Sequence, residues 1–334
     1  MEETKRKRKQ KEVVTLRKKL GIVLGILLLA VTFLAGCGSS PAAENSTSTG
    51  SGKAEPKAVQ TAPPVPAGNV TIKMLDVGQG DSILVQTAEQ TVLIDTSDVD
   101  EQDKLRAELQ KAGVGKIDKV ILTHPHADHI GGMDVVLREH AVGEVYDNGM
   151  PSTSKIYLDY RKKMKAKGIT HSTLKAGDVL DFGGGVSFHV LWPTEDLQQQ
   201  GQAKGYKHDP NNESVVGQLV CGKFKMLFTG DAEKKVESGL VQTVGASLAS
   251  DVLKAPHHGS KTSSSPRYLK LIHPSACVIS CGEGNDYGHP HAETLKKYHA
   301  IKAKTFVTKD NGTITITSDG NGYQIHGEKG DARE

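Results

Sequence analysis

The sequence predicts an α/β (α+β) domain in which two mixed sheets pack together and carry helices on both outer faces. Three observations lead there. Short apolar, strand-like runs and stretches of helical period follow one another as strands, helices, strands, helices, in two similar halves. Several strand-like runs end in turns rich in Gly, His or Asp, which places loops of both halves at one edge between the sheets. The chain has 334 residues, 37% of them hydrophobic and 36 of them Gly, enough for one large α/β domain or two small ones.

The N-terminus stands apart from that domain. Lys5 to Lys19 carry nine basic residues, and Leu20 to Leu34 form a 15-residue run that is almost wholly apolar. A basic segment, a short apolar core and the small residues Ala35 and Gly36 make residues 1–36 an export signal. The run is shorter than the ~20 residues a spanning helix needs. Leu34-Ala35-Gly36-Cys37 is similar to a bacterial lipobox, which implies cleavage before Cys37, lipidation of its thiol and anchoring on the outer face of the cytoplasmic membrane. An uncleaved signal anchor is the alternative. Either way the domain is expected outside the cytoplasm, in the bacterial cell envelope.

Residues 37–68 are rich in Ser, Thr, Ala, Pro and Gly and lack large apolar side chains, so they read as a flexible stalk behind the acylated Cys37. Residues 1–36 hold nine basic and three acidic residues, which leaves 33 Lys+Arg against 36 Asp+Glu in the remainder. The basic balance therefore belongs to the signal, and a global basic field for nucleic acid is excluded. Cys221, Cys277 and Cys281 remain. In one strand, Cys277 and Cys281 stand about 13 Å apart, too far for a disulfide. The core has to hold the fold unaided.

The folded part spans residues 69–330. Val70–Val77, Ser82–Thr87 and Thr91–Thr96 are strand-like, and Asp100–Ala112 is a helix by the spacing of Leu105, Leu109 and Ala112, stopped at Gly113. Asp118–Thr123 is a strand feeding a histidine-rich loop, and Ile130–Glu139 is the helix leaving it. Gly131 and Gly132 are expected to let that backbone pass close to the loop's ligands. Ser154–Lys167 is a helix dense in Lys and Arg, either a solvated face or a local anion-binding patch. Strands follow at Val186–Leu191, Val215–Cys221 and Phe224–Phe228, then a helix through Val244, a strand at Val252–Ala255 and a helix at Pro266–Ile272. Strand Ala276–Ser280 and helix Ala292–Ala303 come next. Thr305–Val307, Thr313–Thr317 and Tyr323–His326 close the chain, with a hairpin about Asp319-Gly320-Asn321-Gly322.

The histidine loop carries the chemistry. His124, His126, Asp128 and His129 fall within six residues, after three apolar residues and across Pro125. Neutral imidazole and carboxylate are ligands for divalent cations, and four of them exceed one open tetrahedral shell. The reading is two metal ions side by side, with His124 and His126 on one and Asp128 and His129 on the other. Asp231 follows an apolar strand and Gly230, so its carboxylate can bridge both ions; a helix-capping Asp is the alternative. Either His257 or His258 can complete the second ion, a buried structural His pair being the alternative.

His124-x-His126-x-Asp128-His129, Thr229-Gly230-Asp231 and a downstream His resemble the metallo-β-lactamase superfamily, whose fold is a four-layer αββα sandwich with a metal centre at its edge. More narrowly, the runs Leu75 to Ser82, Leu93 to Thr96, Asn211 to Ser214, Pro256 to Ser260 and Tyr287 to His291 resemble the extracellular domain of ComEC-type competence proteins. The channel domain of those proteins has no counterpart here, so the chain is not expected to move DNA across a membrane itself. Asn211 stands where many members place a third histidine, which favours a harder cation, and His208 is a nearby substitute.

The resemblance implies a phosphodiesterase or nuclease acting on DNA with two divalent ions, zinc or manganese. Asp128 or Asp231 would orient the attacking water, and Ser260, Lys261 and His289 would meet phosphate oxygens. Hydrolysis of a lactam, a lactone or another small ester is the second reading, and a non-catalytic surface lipoprotein binding DNA or a partner is the third. The Cys that many zinc β-lactamases place on the second ion has no counterpart near Asp231, which weighs against a lactam.

Overall fold

Alternation of buried and half-exposed side chains makes Val70–Met74 a one-faced strand, β1. The computed structural model describes residues 69–330 and Ala332; the export signal, Cys37 and the stalk lie outside the described residues. The strands that follow are β2 (Ile83–Gln86), β3 (Thr91–Ile94), β4 (Lys116–Leu122), β5 (Ala141–Asp147), β6 (Thr170–Thr173), β7 (Val179–Asp181) and β8 (Val186–Trp192). Then come β9 (Val216–Cys221), β10 (Phe224–Phe228), β11 (Val252–Lys254), β12 (Ala276–Ile279), β13 (Lys304–Val307), β14 (Ile314–Ser318) and β15 (Tyr323–Gly327). They form an eight-stranded sheet, β15-β14-β1-β2-β3-β4-β5-β6, and a seven-stranded sheet, β13-β12-β11-β10-β9-β8-β7.

Helices cover both outer faces. Helices α1 (Gln102–Lys111), α2 (Ala127–Ile130), α3 (Met133–Glu139) and α4 (Lys155–Ala166) belong to the first half. Then follow α5 (Glu195–Gly201), α6 (Lys234–Thr243), α7 (Pro266–Ile272) and α8 (Ala292–Ala300). One core lies between the sheets, where Ile72 and Met74 meet Phe188, Phe224 and Phe228. A second puts Leu105, Met133 and Tyr160 against Leu93 and Val120, and a third puts Leu240, Tyr268 and Tyr298 against Leu227 and Leu253. These are the four layers of the expected αββα sandwich. Among the described residues no helix is long and apolar enough to cross a membrane.

The details depart from the sequence pattern in three places. β5, β6, β7 and α5 were not foreshadowed: Gly143 and Glu144 break the apolar pattern of β5, β6 is a polar edge strand, β7 is three residues long, and α5 reads Glu-Asp-Leu-Gln-Gln-Gln-Gly. The expected helix Ile130–Glu139 is two helices, α2 and α3, parted at Gly131-Gly132. Those glycines admit the loop after β3 rather than the donors themselves. A Cβ on Gly132 would lie 2.0 Å from the Thr96 carbonyl oxygen, and one on Gly131 would lie 2.2 Å from the Val99 nitrogen. Cys221, Cys277 and Cys281 are buried and none is in a disulfide, as their spacing required.

Candidate metal centre

Parallel pairing aligns the carboxyl ends of β3 and β4 in one sheet and of β10, β11 and β12 in the other. Loops leaving such ends are where open α/β sheets place ligands. Asp95 follows β3, the His124–His129 loop follows β4, Asp231 follows β10, His257 and His258 follow β11, and Ser280 follows β12. The six side chains His124, His126, Asp128, His129, Asp231 and His258 converge there.

Asp231 is the shared element. Its Oδ2 lies 3.9 Å from His124 Nε2, and His124 Nε2 is in turn 3.0 Å from His126 Nδ1. The same Oδ2 lies 3.5 Å from His258 Nε2, and Asp231 Oδ1 is 3.3 Å from His129 Nε2. His258 Nε2 also sits 3.2 Å from Asp128 Oδ2. Donor atoms of Asp128, His129, Asp231 and His258 all lie within 4.8 Å of one another. A second such cluster, Asp81, Asp95 and His129, adjoins it, so the described residues offer places for one or two divalent ions.

The ring tautomers are fixed from behind. Asp95 Oδ2 accepts from His129 Nδ1 at 2.7 Å and from the Thr123 hydroxyl at 2.7 Å, while Asp95 Oδ1 accepts from the Thr123 backbone N–H. The Thr123 oxygen, 3.1 Å from His124 Nδ1, is left to accept from that ring. The Ser280 carbonyl accepts from His258 Nδ1 at 2.9 Å. Each ring therefore turns its Nε2 lone pair toward Asp231, as carboxylate and carbonyl partners do for metal-ligating histidines. Asp81, a member of the second cluster, is paired with the buried Lys254 amine, which also donates to the Gly230 carbonyl at 3.1 Å.

Do these residues fit a metal? His129 Nε2, His258 Nε2, Asp231 Oδ1 and Asn211 Oδ1 are buried and make no hydrogen bond within the protein. Buried polar atoms are rarely left so. Nitrogen and oxygen donors orphaned around one carboxylate are a donor set for divalent cations. The site fits.

The electrostatics agree. Burial opposes charge on His258, but the carboxylates of Asp231 and Asp81 outweigh it and push the ring up to about 10. Burial likewise opposes charge on His129, and Asp231, Asp95 and Asp128 hold it well above its usual range. Without metal, then, protons occupy the places that cations would take.

Of the two consecutive histidines, His258 is buried and joins the donor cluster, while His257 is partly exposed and donates from Nδ1 to Glu233 at 3.1 Å. His257 Nε2 still lies 3.7 Å from Asp231 Oδ2. Both residues are in the left-handed region, φ 49° and 52°, and their Nδ1 atoms find different partners, Glu233 for His257 and the Ser280 carbonyl for His258. A cavity of about 320 Å³ opens over the cluster, lined by Gln79, Asp98, His126, Asn211, Tyr287 and His289 among others. His208 is drawn away to Glu213, 3.1 Å from its carboxylate. Ser260 is buried with its hydroxyl on Thr262, Lys261 is exposed, and neither lines the cavity. Thr123 and Lys254 are supporting residues that a search for ligand types alone passes over.

"ComE operon protein 3" of Bacillus subtilis (strain 168) is 32% identical over 268 residues, covering 73% of this chain and 32% of that protein. "Competence protein ComA" of Neisseria gonorrhoeae is 32% identical over 251 residues, covering 75% and 32%. The chain thus spans about a third of the length of the curated relatives it matches. The crystal structure of the metallo-beta-lactamase fold protein YhfI from Bacillus subtilis is similar in fold, with a TM-score of 0.50 and 14% identity over 75% of this chain and 99% of that one. The model of the Metallo-beta-lactamase superfamily matches residues 75–283, a stretch that takes in β2 to β12 and every loop of the donor cluster. The chain belongs to the metallo-beta-lactamase superfamily.

Proposed function

We propose that the protein is an extracytoplasmic phosphodiesterase that cuts DNA with two divalent ions, zinc or manganese. The observation that carries this reading is the position of Asp231 between two donor sets, His124 with His126 and Asp128 with His129 and His258. Similarity to proteins named for competence supports DNA as the substrate. When bound, such a pair of ions lowers the pKa of water in the site and polarises the electrophile.

The chain's own groups then have distinct tasks. Asp231 holds the two donor sets in register, and Asp128, only partly buried, orients the water. Asn211 lines the cavity with Oδ1 unpartnered and would add an oxygen donor, which suits a harder cation. His289 lines the cavity, buried and with Nδ1 lacking a partner, so it is the group that meets a phosphate oxygen. Among the described residues no side chain near the cluster is arranged as a covalent nucleophile, and water is the attacking group.

Attraction for a polyanion has to be local. On α4, Lys155 pairs with Asp159, Lys163 with Asp134 and Arg161 with Asp147, so an anion patch on that helix rests on Lys162 and Lys165. A few phosphate contacts give weak, sequence-blind binding that falls steeply with salt. The test is metal-stripped protein reloaded with zinc or manganese and offered single-stranded DNA, duplex DNA and a chromogenic lactam. DNA cleavage that needs metal, ignores base sequence and fades with salt is expected. Lactam turnover without DNA cleavage would overturn the reading.

The extracytoplasmic placement is tested separately. Cys37→Ala is expected to release the protein to the medium or leave an unprocessed precursor. Mature-size protein that stays on the membrane in cell fractionation counts against a lipid anchor.

A further inference from the structure

One side chain at the mouth of the cavity has no part in holding the donors. Tyr287 lines the cavity yet is 64% exposed, a large aromatic ring left in solvent. Lone exposed tyrosines are ordinary. This one is held in place. Asn285 donates to the carbonyls of Gly282 and His289, at 2.8 Å each, and accepts from the His289 N–H at 2.9 Å, so the turn presenting Tyr287 is tied at both ends.

One face of the ring is already committed. Tyr287 stacks on His289 with centroids 5.5 Å apart and planes at 19°, and His289 in turn lies over His258 at 6.0 Å and 27°. A column of three rings therefore runs from the donor cluster to solvent. Its middle member, His289, is only 5% exposed and keeps an unpartnered Nδ1, and Gln79, whose Oε1 accepts from the Gly282 N–H at the foot of the same turn, keeps a buried Nε2 without a partner. Two unused hydrogen-bonding groups beside one open aromatic face describe a nucleotide: a phosphate for the donors and a flat base for the ring.

We propose that Tyr287 is the stacking platform for one nucleobase beside the scissile phosphate, and that the substrate is single-stranded. This rests on the DNA reading above. In a duplex both faces of a base are covered by its neighbours, so the platform is usable only by an unpaired strand. Every base has a π-face, which keeps the contact blind to sequence. Tyr287 thereby selects strandedness and leaves base identity unread.

The test uses the full chain loaded with manganese, with single-stranded and duplex oligonucleotides of one sequence. Tyr287→Ala should raise KM for the single strand by roughly 5- to 150-fold, the effect of removing one base–aromatic stack. The loss should fall on KM more than on kcat, and Tyr287→Phe and Tyr287→Trp should restore it. An abasic site walked along the strand should reproduce the defect in wild type at one position, and there Tyr287→Ala should add nothing further. Equal KM for wild type and Tyr287→Ala, or no sensitive position in the abasic walk, overturns the stacking role while leaving DNA cleavage standing. If wild type cuts neither strand form with metal bound, the DNA reading itself fails. Elemental analysis of each variant should show unchanged metal content, which separates stacking from damage to the donors.

Discussion

Asp231→Ala should strip metal from the protein and abolish hydrolysis, because that carboxylate lies within 4 Å of His124, His129 and His258 and is the group the two proposed donor sets share. Removing an outer partner of a metal ligand typically costs about 10–100-fold in affinity or activity. Loss of a carboxylate shared by two donor sets should exceed that, on the order of 1000-fold in activity. Metal content by elemental analysis should fall toward zero, while circular dichroism stays native, since Asp231 sits on an edge loop. Near-normal stoichiometry with lost activity would mean that Asp231 acts only on the substrate.

The same site sets the pH dependence of loading. Asp231 and Asp81 push the His258 ring up to about 10 against the pull of burial, so the metal-free protein carries that proton at neutral pH. His129, held high by Asp231, Asp95 and Asp128, carries a second. Ligation needs both rings neutral, so binding at pH 7 must expel these protons, and affinity should climb with pH until His258 would deprotonate unaided near 10. Calorimetry in buffers of different ionisation enthalpy reads the release directly.

Lys254→Met should be the most destabilising change away from the donors, by about 3–5 kcal/mol in metal-free protein. Lys254 is wholly buried, paired with the buried Asp81, and its amine lies 4.0 Å from Asp231 Oδ1. Burial opposes its charge, but Asp81 and Asp231 raise its pKa above the ordinary lysine range. A raised folded-state pKa means that the stabilisation is fully present below the unfolded value and is lost only as pH rises through the folded one. At neutral pH all of it is in place. Urea unfolding of the metal-stripped variant measures the loss, and adding Asp81→Asn should recover part of it by removing the stranded charge. A cost under about 1 kcal/mol would show that the pair is dispensable.

Much of this was legible in the chain, for reasons that differ by residue. The His124–His129 ligands stand out because a single loop supplies all of them, so sequence proximity and spatial proximity coincide. The strands flanking the inter-sheet core announce themselves by alternation, as in β1. β6 does not, because an edge strand of Thr-His-Ser-Thr buries too little to need an apolar pattern. The choice between His257 and His258 was closed to sequence, since it hangs on two successive left-handed residues. Asp95 and Lys254 were harder still: one is an acid after a strand and the other a lysine inside one, and only the fold sets each against its partner.

The tail hairpin has a consequence for how the chain comes to be folded. β1 lies between β2 and β14, with Val70 opposite Ser318 and Met74 opposite Ile314. The first strand to leave the ribosome thus waits for nearly the last before its sheet is complete. Pairings so distant in sequence are slow to form, and until they do β1 keeps an open edge. A chain synthesised from its N-terminus cannot finish this domain piecemeal; the sheet stays open until its C-terminal hairpin arrives.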